Sequence, residues 1–543
     1  MMNQSSFIDV SGMTDQSLLS QKSMGEYVPL TPEKMKSYLS DLSKPIFVIK
    51  NGKGAYLSDM GLQLSSANSW KALAYSFPFT PEMFGDVDFK QTYGLKYALY
   101  GGAMANAIAS EEMVISLGNS GFMGSFGAGG LSLARIEKAI RRIQEALKDK
   151  PYAFNLINNP FDSETEQKTA ELYIQNGIHV VEASAYLTIN SSLVKYRAVG
   201  LSQLPDGSVE IGNKLIAKVS RKEVASQFLQ PAPEEILSRL LAEGKLNEEQ
   251  VRLAKLVPMA DDITVEADSG GHTDNRPLVS TLPEIIRLRD SFQAKYRFPH
   301  PVRIGAAGGI SVPDATLAAF MMGAAYVTTG SVNQACIESG ASEYTRNLLA
   351  QAEITDVAMA PASDMFEMGV KVQVLKRGTM FAKRAQKLYD LYQRYDSVEE
   401  IPAAEREKLE TTVFKRTLNS VWEECQKFFS ERDPKQLEKA AQDPKHKMAL
   451  IFRWYLGLSS RWSSIGEKGR EMDYQIWCGP SLGAFNDWAR GTYLEKPNNR
   501  RVADVSLHLL TGAAYLYRIR LLESQGIRFS SELRDYLPLQ PLL

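Results

Sequence analysis

The sequence predicts an α/β protein: a (β/α)8 TIM barrel over residues 91–360, preceded by a small N-terminal segment over 1–90 and followed by an α-helical domain over 361–543. Three observations predict it. Eight short apolar runs alternate with helical stretches, the rhythm of strand–helix units in a parallel sheet. Polar or glycine-rich loops follow these runs throughout, which suits a barrel better than a doubly wound sheet with one switch point. After about Pro361 the strand signal largely stops, and residues such as Leu388, Leu391, Tyr392 and Tyr395 recur at helical spacing.

Taken in order, residues 1–30 are polar and Ser-rich, and read as loosely attached chain. Thr31 and Pro32 open a short helix, as N-cap and first-turn proline. Asn51-Gly52-Lys53-Gly54 joins two apolar runs as a hairpin. The eight barrel strands are expected around Lys96–Tyr100, Met123–Gly127, Tyr152–Ile157, His179–Ala183, Lys214–Val219, Asp262–Val265, Val302–Ala307 and Ala324–Thr328. Between the second and third, Ile136, Ile140, Ile143 and Leu147 form one apolar stripe of an amphipathic helix. A hairpin is expected around Pro205-Asp206-Gly207, and a charged helical insertion over about 228–258. The aromatic residues Phe452, Trp454, Tyr455 and Trp462 read as core of the C-terminal helices.

Composition narrows the function classes. Lys and Arg total 62 against 63 Asp and Glu, so no basic surplus points to nucleic acid. The three cysteines are far apart without metal spacing, which suits a reducing cytoplasm. The N-terminus lacks a basic region followed by an apolar core, so no signal peptide is expected. Ala315–Ile337 carries no charge, but its Gly, Thr, Asn and Gln content fits a helix and a buried strand better than a membrane span.

Several residues stand out as candidate chemistry. Strand six runs into Glu266-Ala267-Asp268-Ser269-Gly270-Gly271-His272, where paired glycines admit close approach of a ligand and a histidine follows. Gly101-Gly102-Ala103-Met104 follows strand one, Gly308-Gly309 follows strand seven, and Gly330-Ser331 follows strand eight. In a barrel the last two loops commonly bind a phosphate through backbone N–H groups. Asn155 and Lys218 are polar residues inside apolar strands. They are either paired structurally or aimed at a ligand, Asn155 at a planar ring and Lys218 at negative charge developing on it. No Rossmann fingerprint, Walker loop, HExxH or zinc pattern is present. Gly479-Pro480-Ser481-Leu482-Gly483 fits G-x-S-x-G, but a nucleophile elbow needs a preceding central strand, a following helix and later acid and histidine partners, and the only histidine downstream is His508.

Together these residues resemble the FMN-dependent barrel family of nitronate monooxygenases and FabK-type enoyl-acyl carrier protein reductases. The resemblance runs through Gly102-Ala103-Met104, Gly121-Phe122-Met123-Gly124, Phe154-Asn155-Leu156, Ser269-Gly270-Gly271-His272, Ala307-Gly308-Gly309-Ile310 and Gly330-Ser331. The chain is similar above all to the PfaD-type trans-acting enoyl reductases of polyunsaturated fatty acid and polyketide synthases. That likeness rests on Ala103–Glu112, Ala260–Thr264 with Asp274–Pro277, Met359–Pro361 with Asp364–Val370, and Phe452–Ser460. The resemblance implies FMN in the barrel mouth, with Gly102, Ala103, Met104, Asn155, Lys218, Gly270, Gly271, Gly308, Gly309, Gly330 and Ser331 as binding residues. It implies NADPH as reductant and an enoyl thioester on an acyl carrier protein as substrate. His272 matches the family's active-site histidine, as proton donor to the α-carbon or as holder of the thioester carbonyl. The implied setting is the bacterial cytoplasm, with acyl carrier protein domains as partners and a homodimer among the open assemblies. Two other readings stay open: a nitronate monooxygenase-like flavin oxidase, and a non-catalytic docking component of a synthase. Where the family reads Glu-Ala-Gly-Gly-His, this chain has Asp268-Ser269 ahead of the glycines.

Overall fold

The computed structural model describes residues 32–51, 54–58, 71–159 and 163–543. The expectations for residues 1–30, for Thr31 as N-cap and for the Gly52-Lys53 turn lie outside them. Helix Pro32–Ser40 leads into a three-stranded antiparallel sheet with Ile46–Asn51 between Gly54–Ser58 and Lys71–Ser76. Helix Val87–Tyr93 follows, capped by the Asp86 carboxylate on Phe89 N–H and ended by Gly94 at φ 65°.

The eight expected strands close into a parallel barrel: β1 (Leu99–Gly101), β2 (Met123–Phe126), β3 (Ala153–Ile157), β4 (Val180–Ser184), β5 (Lys214–Val219), β6 (Asp262–Glu266), β7 (Arg303–Ala307) and β8 (Val327–Thr329). Each pairs with its neighbours in sequence, and β8 returns to β1 with Thr328 opposite Tyr100. β1 begins three residues later than the expected Lys96, because Lys96 and Tyr97 spend their N–H groups on the Gly121 carbonyl of the β2 approach.

The barrel interior is filled, as the fold requires. Near its N-terminal end Arg303 makes a bidentate pair with fully buried Asp262 at 2.6 and 2.8 Å, and Tyr93 donates to the same carboxylate at 2.5 Å. Thr264 links the hydroxyls of Tyr100 and Tyr326 at 3.1 and 2.9 Å. Gly305 is obligatory here, since a Cβ would lie 2.2 Å from the Tyr326 ring. The 228–258 insertion is two helices, Glu234–Ala242 and Glu248–Ala254, and the Pro205–Gly207 hairpin joins Leu201–Gln203 to Val209–Ile211.

Beyond the barrel the structure differs from the expectation that strands stop near Pro361. β9 (Val357–Pro361) and β10 (Lys371–Leu375) form an antiparallel pair, and the two residues Gly271-His272 add to β10 as a third strand. Lys-Val-Gln-Val-Leu alternates correctly for a strand but is too short to stand out from its charged surroundings. The remaining elements are helical, among them Phe381–Arg394, Leu418–Arg432, Pro444–Ile465, Ser481–Ala489 and Val502–Ser524. The last of these turns back onto the barrel: a Cβ on Gly512 would meet Pro313 of helix Pro313–Met321 at 2.4 Å.

Candidate active site

The C-terminal ends of the barrel strands gather most of the expected residues. Glu182, Lys218 and Glu266 stand on the adjacent strands β4, β5 and β6. Lys218 Nζ lies 3.1 Å from Glu266 and 3.7 Å from Glu182. Burial alone pulls the Lys218 ammonium towards neutrality. The charges of Glu266 and Glu182 outweigh it and hold the group above its ordinary range. Glu182 is fully buried, and its Oε2 accepts a 3.1 Å hydrogen bond from the Ala103 N–H in the loop after β1. Its Oε1 has no hydrogen-bond partner. Lys218 is therefore not a lone positive charge; it lies between fully buried Glu182, which also fixes the Ala103 loop, and partly exposed Glu266.

Asn155 on β3 donates both amide hydrogens to β4, to the Glu182 carbonyl at 3.0 Å and the Ser184 hydroxyl at 2.9 Å. Only its side-chain carbonyl is left for a ligand. Gly102 passes close to β8, where a Cβ would lie 2.9 Å from Thr328, and its N–H binds the Thr329 carbonyl. The Met104 carbonyl passes under Gly127, at a distance that leaves no room for a Cβ there.

The loops after β7 and β8 lie side by side, since Ala307 faces Thr328 in register. Gly308 and Gly309 have φ of 80° and 82°. A Cβ on Gly308 would strike the Ala267 backbone at 2.7 Å, whereas one on Gly309 or Gly330 would meet nothing within 4 Å. Gly308 is thus glycine for the fold, and Gly309 and Gly330 border open space. Ser331 Oγ accepts the Gly479 N–H at 3.1 Å and keeps its own hydrogen to donate. The donor set and the open space fit a phosphate group.

His272 is placed differently from the expectation that it closes strand six. β6 ends at Glu266, and the chain then leaves the barrel wall. Gly270 lies against the Cys478 backbone, where a Cβ would come within 2.7 Å, and Gly271 turns the chain at φ 83°. His272 then pairs with Val372 of β10. Its side chain is 40% exposed, and Nε2 lies 3.2 Å from Asp364 Oδ1. Burial lowers its proton affinity, but the Asp364 hydrogen bond and charge, with Glu266, raise the pKa above the usual 6.5. Gln373 of β10 clamps the same loop, donating to Asp268 Oδ1 at 2.7 Å and to the Ser269 carbonyl at 2.8 Å; Asn275 bridges Asp268 and Gln373 at 3.0 Å each. The clamp thus holds Asp268 by its side chain and Ser269 by its backbone carbonyl.

The G-x-S-x-G segment is not a nucleophile elbow. Ser481 opens helix Ser481–Ala489 with no barrel strand before it, and Gly479 braces Ser331 and the Ser269-Gly270 backbone.

Comparison with known proteins decides the family. The nitronate monooxygenase family model matches residues 89–390, more than half of the chain. The chain belongs to the nitronate monooxygenase family. Its relatives include an enoyl reductase domain and proteins of polyunsaturated fatty acid and polyketide biosynthesis. It is similar to the enoyl reductase domain of MlnA from the macrolactin biosynthesis cluster of Bacillus amyloliquefaciens, at 40% identity and TM-score 0.78. That match covers 82% of this chain and 99% of the other. It is 47% identical over 499 residues to a polyunsaturated fatty acid synthase protein of Thraustochytrium sp., covering 91% of this chain and 33% of that protein. It is 47% identical over 443 residues to polyketide biosynthesis protein PksE of Bacillus subtilis, covering 81% of this chain and 57% of that protein. The chain thus spans between a third and three fifths of these two curated relatives. Residues 395–474 match the inserted helical domain of [acyl-carrier-protein] S-malonyltransferase.

Sequence reasoning missed Glu182, Glu266, Asp364 and Gln373 in this family site. Glu182 carried a usable signal, a carboxylate in the middle of an apolar strand beside Asn155 and Lys218. Asp364 was visible only as the first residue of the Asp364–Val370 likeness and Gln373 not at all, because they meet His272 and Asp268 only through the fold.

Proposed function

We propose that this chain is an FMN-dependent enoyl reductase, acting in trans with NADPH on enoyl thioesters carried by acyl carrier proteins. The observation that carries the reading is the likeness to the MlnA enoyl reductase domain, which this chain matches over 99% of its length. Synthase proteins among the relatives support carrier-bound substrates. Among the described residues no helix is long and apolar enough to cross a membrane.

The residues present fit the cofactor. Gly309 and Gly330 border the open space for its phosphate, and Ser331 has a hydroxyl hydrogen for it. Asn155 and the Lys218 cluster line the barrel where its ring system would lie. When bound, FMN supplies hydride transfer from NADPH to the β-carbon of the substrate. Addition at the β-carbon leaves charge on the α-carbon and thioester oxygen. His272 meets that charge by giving a proton to the α-carbon. Its raised pKa keeps the imidazolium available near neutral pH.

The test is spectroscopic. The purified protein should show a flavin absorbance that NADPH bleaches and a crotonyl-type thioester restores, faster when the thioester sits on a carrier protein. The family model also favours a nitronate oxidase reading. Bleaching by NADPH followed by oxygen-dependent turnover of a nitronate, with no response to enoyl thioester, would establish that alternative.

A further inference from the structure

Asp364 lies in the loop between β9 and β10, ninety-two residues from His272 in sequence and 3.2 Å from its Nε2. Both side chains are partly open to solvent, at 40% and 48% exposure. The loop itself is held in place: Arg453 of helix Pro444–Ile465 pairs with Glu367 at 3.2 Å and faces Asp364 electrostatically. On the other side Gln373 clamps the chain that delivers His272. The β9–β10 hairpin thus holds both partners: its second strand pairs with the His272 backbone and its loop carries the Asp364 carboxylate.

Resting on the reading of His272 as proton donor, we propose that Asp364 is its positioning residue. It binds Nε2–H and holds the imidazole in one orientation, leaving Nδ1 as the nitrogen that serves the substrate.

The geometry assigns the two ring nitrogens distinct work. With Nε2–H committed to the carboxylate, the proton delivered to the α-carbon leaves from Nδ1. The ring then remains neutral with its hydrogen on Nε2, still bound to Asp364, and takes up a proton from solvent at Nδ1 before the next turnover. No further reagent is needed. The charged groups that bear on His272 are Asp364 and Glu266, both favouring the imidazolium, while Arg453 acts on Asp364 from the long helix. Burial opposes the charged forms of both partners, and their mutual attraction prevails: Asp364 sits below its ordinary pKa and His272 above.

The experiment uses the whole 543-residue chain with its cofactor and the variants Asp364→Asn and Asp364→Glu. Histidine NMR follows the titration of His272, its signal identified by loss in His272→Gln among the five histidines. In Asp364→Asn the His272 midpoint should move to lower pH, and Asp364→Glu should restore most of the difference. In stopped flow, NADPH-reduced Asp364→Asn should reoxidise with enoyl thioester roughly tenfold more slowly, since part of the general-acid contribution is lost. The alkaline fall of that step should move to lower pH, with flavin bleaching by NADPH at its normal rate. An unchanged His272 midpoint in Asp364→Asn overturns the proposal, whatever the kinetics. A shifted midpoint with an unchanged reoxidation rate also overturns it, and locates the failure in the reading of His272 as donor.

Discussion

His272 and Lys218 show how neighbours decide what a single side chain does. The imidazolium of His272 is held above its ordinary pKa, so a reaction that consumes its proton runs at low and neutral pH. It slows as pH rises through the folded value. The same sign governs stability: the His272–Asp364 attraction is fully present below about 6.5, the unfolded value, and fades as pH rises through the folded one. His272→Ala should bleach normally with NADPH and then reoxidise with enoyl thioester about a hundredfold more slowly, the low end of general-acid contributions. Stopped-flow measurement of the two half-reactions separates these steps. Lys218 is a different case. Lys218→Met leaves Glu182 and Glu266 facing each other in the barrel without a counter-charge. Leaving fully buried Glu182 without its counter-charge costs up to about 3–5 kcal/mol, less to the extent that partly exposed Glu266 is hydrated. Urea unfolding of the apoprotein should register that loss, and flavin content should fall as Glu182, which accepts the Ala103 N–H, shifts once its counter-charge is gone. Equal stability with full flavin content would remove the cluster from the site.

At the scale of elements, adjoining glycines have opposite duties. Gly308 and Gly270 are pressed against backbone, Ala267 and Cys478 respectively, so any side chain there displaces a loop. Gly330 has free space around it and no positive φ, and Gly309 has free space but a φ of 82°. Gly330→Val should therefore fold with close to normal stability yet lose flavin, because the new side chain fills the phosphate cradle. Gly308→Val should lose both. Thermal melting beside the flavin-to-protein absorbance ratio distinguishes the two; normal flavin content in Gly330→Val would move the phosphate away from this loop. The β9–β10 pair is likewise more than a connector. It supplies the ladder for Gly271-His272, the Gln373 clamp and Asp364.

Over the whole molecule, the ends of the described chain are fastened to each other. Arg518 of the last long helix is fully buried and donates to the carbonyls of Leu39, Asp41 and Lys44 at 2.9, 2.8 and 2.6 Å. Gln525 exchanges two 2.9 Å hydrogen bonds with the Tyr75 backbone. Helix Val502–Ser524 thus joins the N-terminal sheet to the barrel helix Pro313–Met321. Arg518→Ala removes three charge-assisted bonds to backbone carbonyls, a loss of about 3 kcal/mol or more. A drop in urea midpoint with normal kinetics per folded molecule is expected, since Arg518 is remote from the barrel mouth. A variant as stable as the parent would mean that water replaces the guanidinium.

The barrel was legible in the sequence because strands and helices write their periods locally: eight apolar runs, each bounded by glycine or polar loops, leave few arrangements open. The glycines after strands seven and eight were legible for the same reason, as local breaks at predictable ends. The family histidine could be named from its motif. Its surroundings could not. Whether Lys218 is free or paired depends on Glu182 and Glu266, which are brought beside it by the register of three strands. Asp364 and Gln373 reach the site only because β10 adopts Gly271-His272 as a neighbouring strand. Even the role of Gly479, a decoy in sequence, is set by the Ser331 hydroxyl it meets across 148 positions. Local composition determines which elements form; charge pairing, clamps and ring orientation arise from contacts between residues far apart in the chain, and those exist only once it has folded.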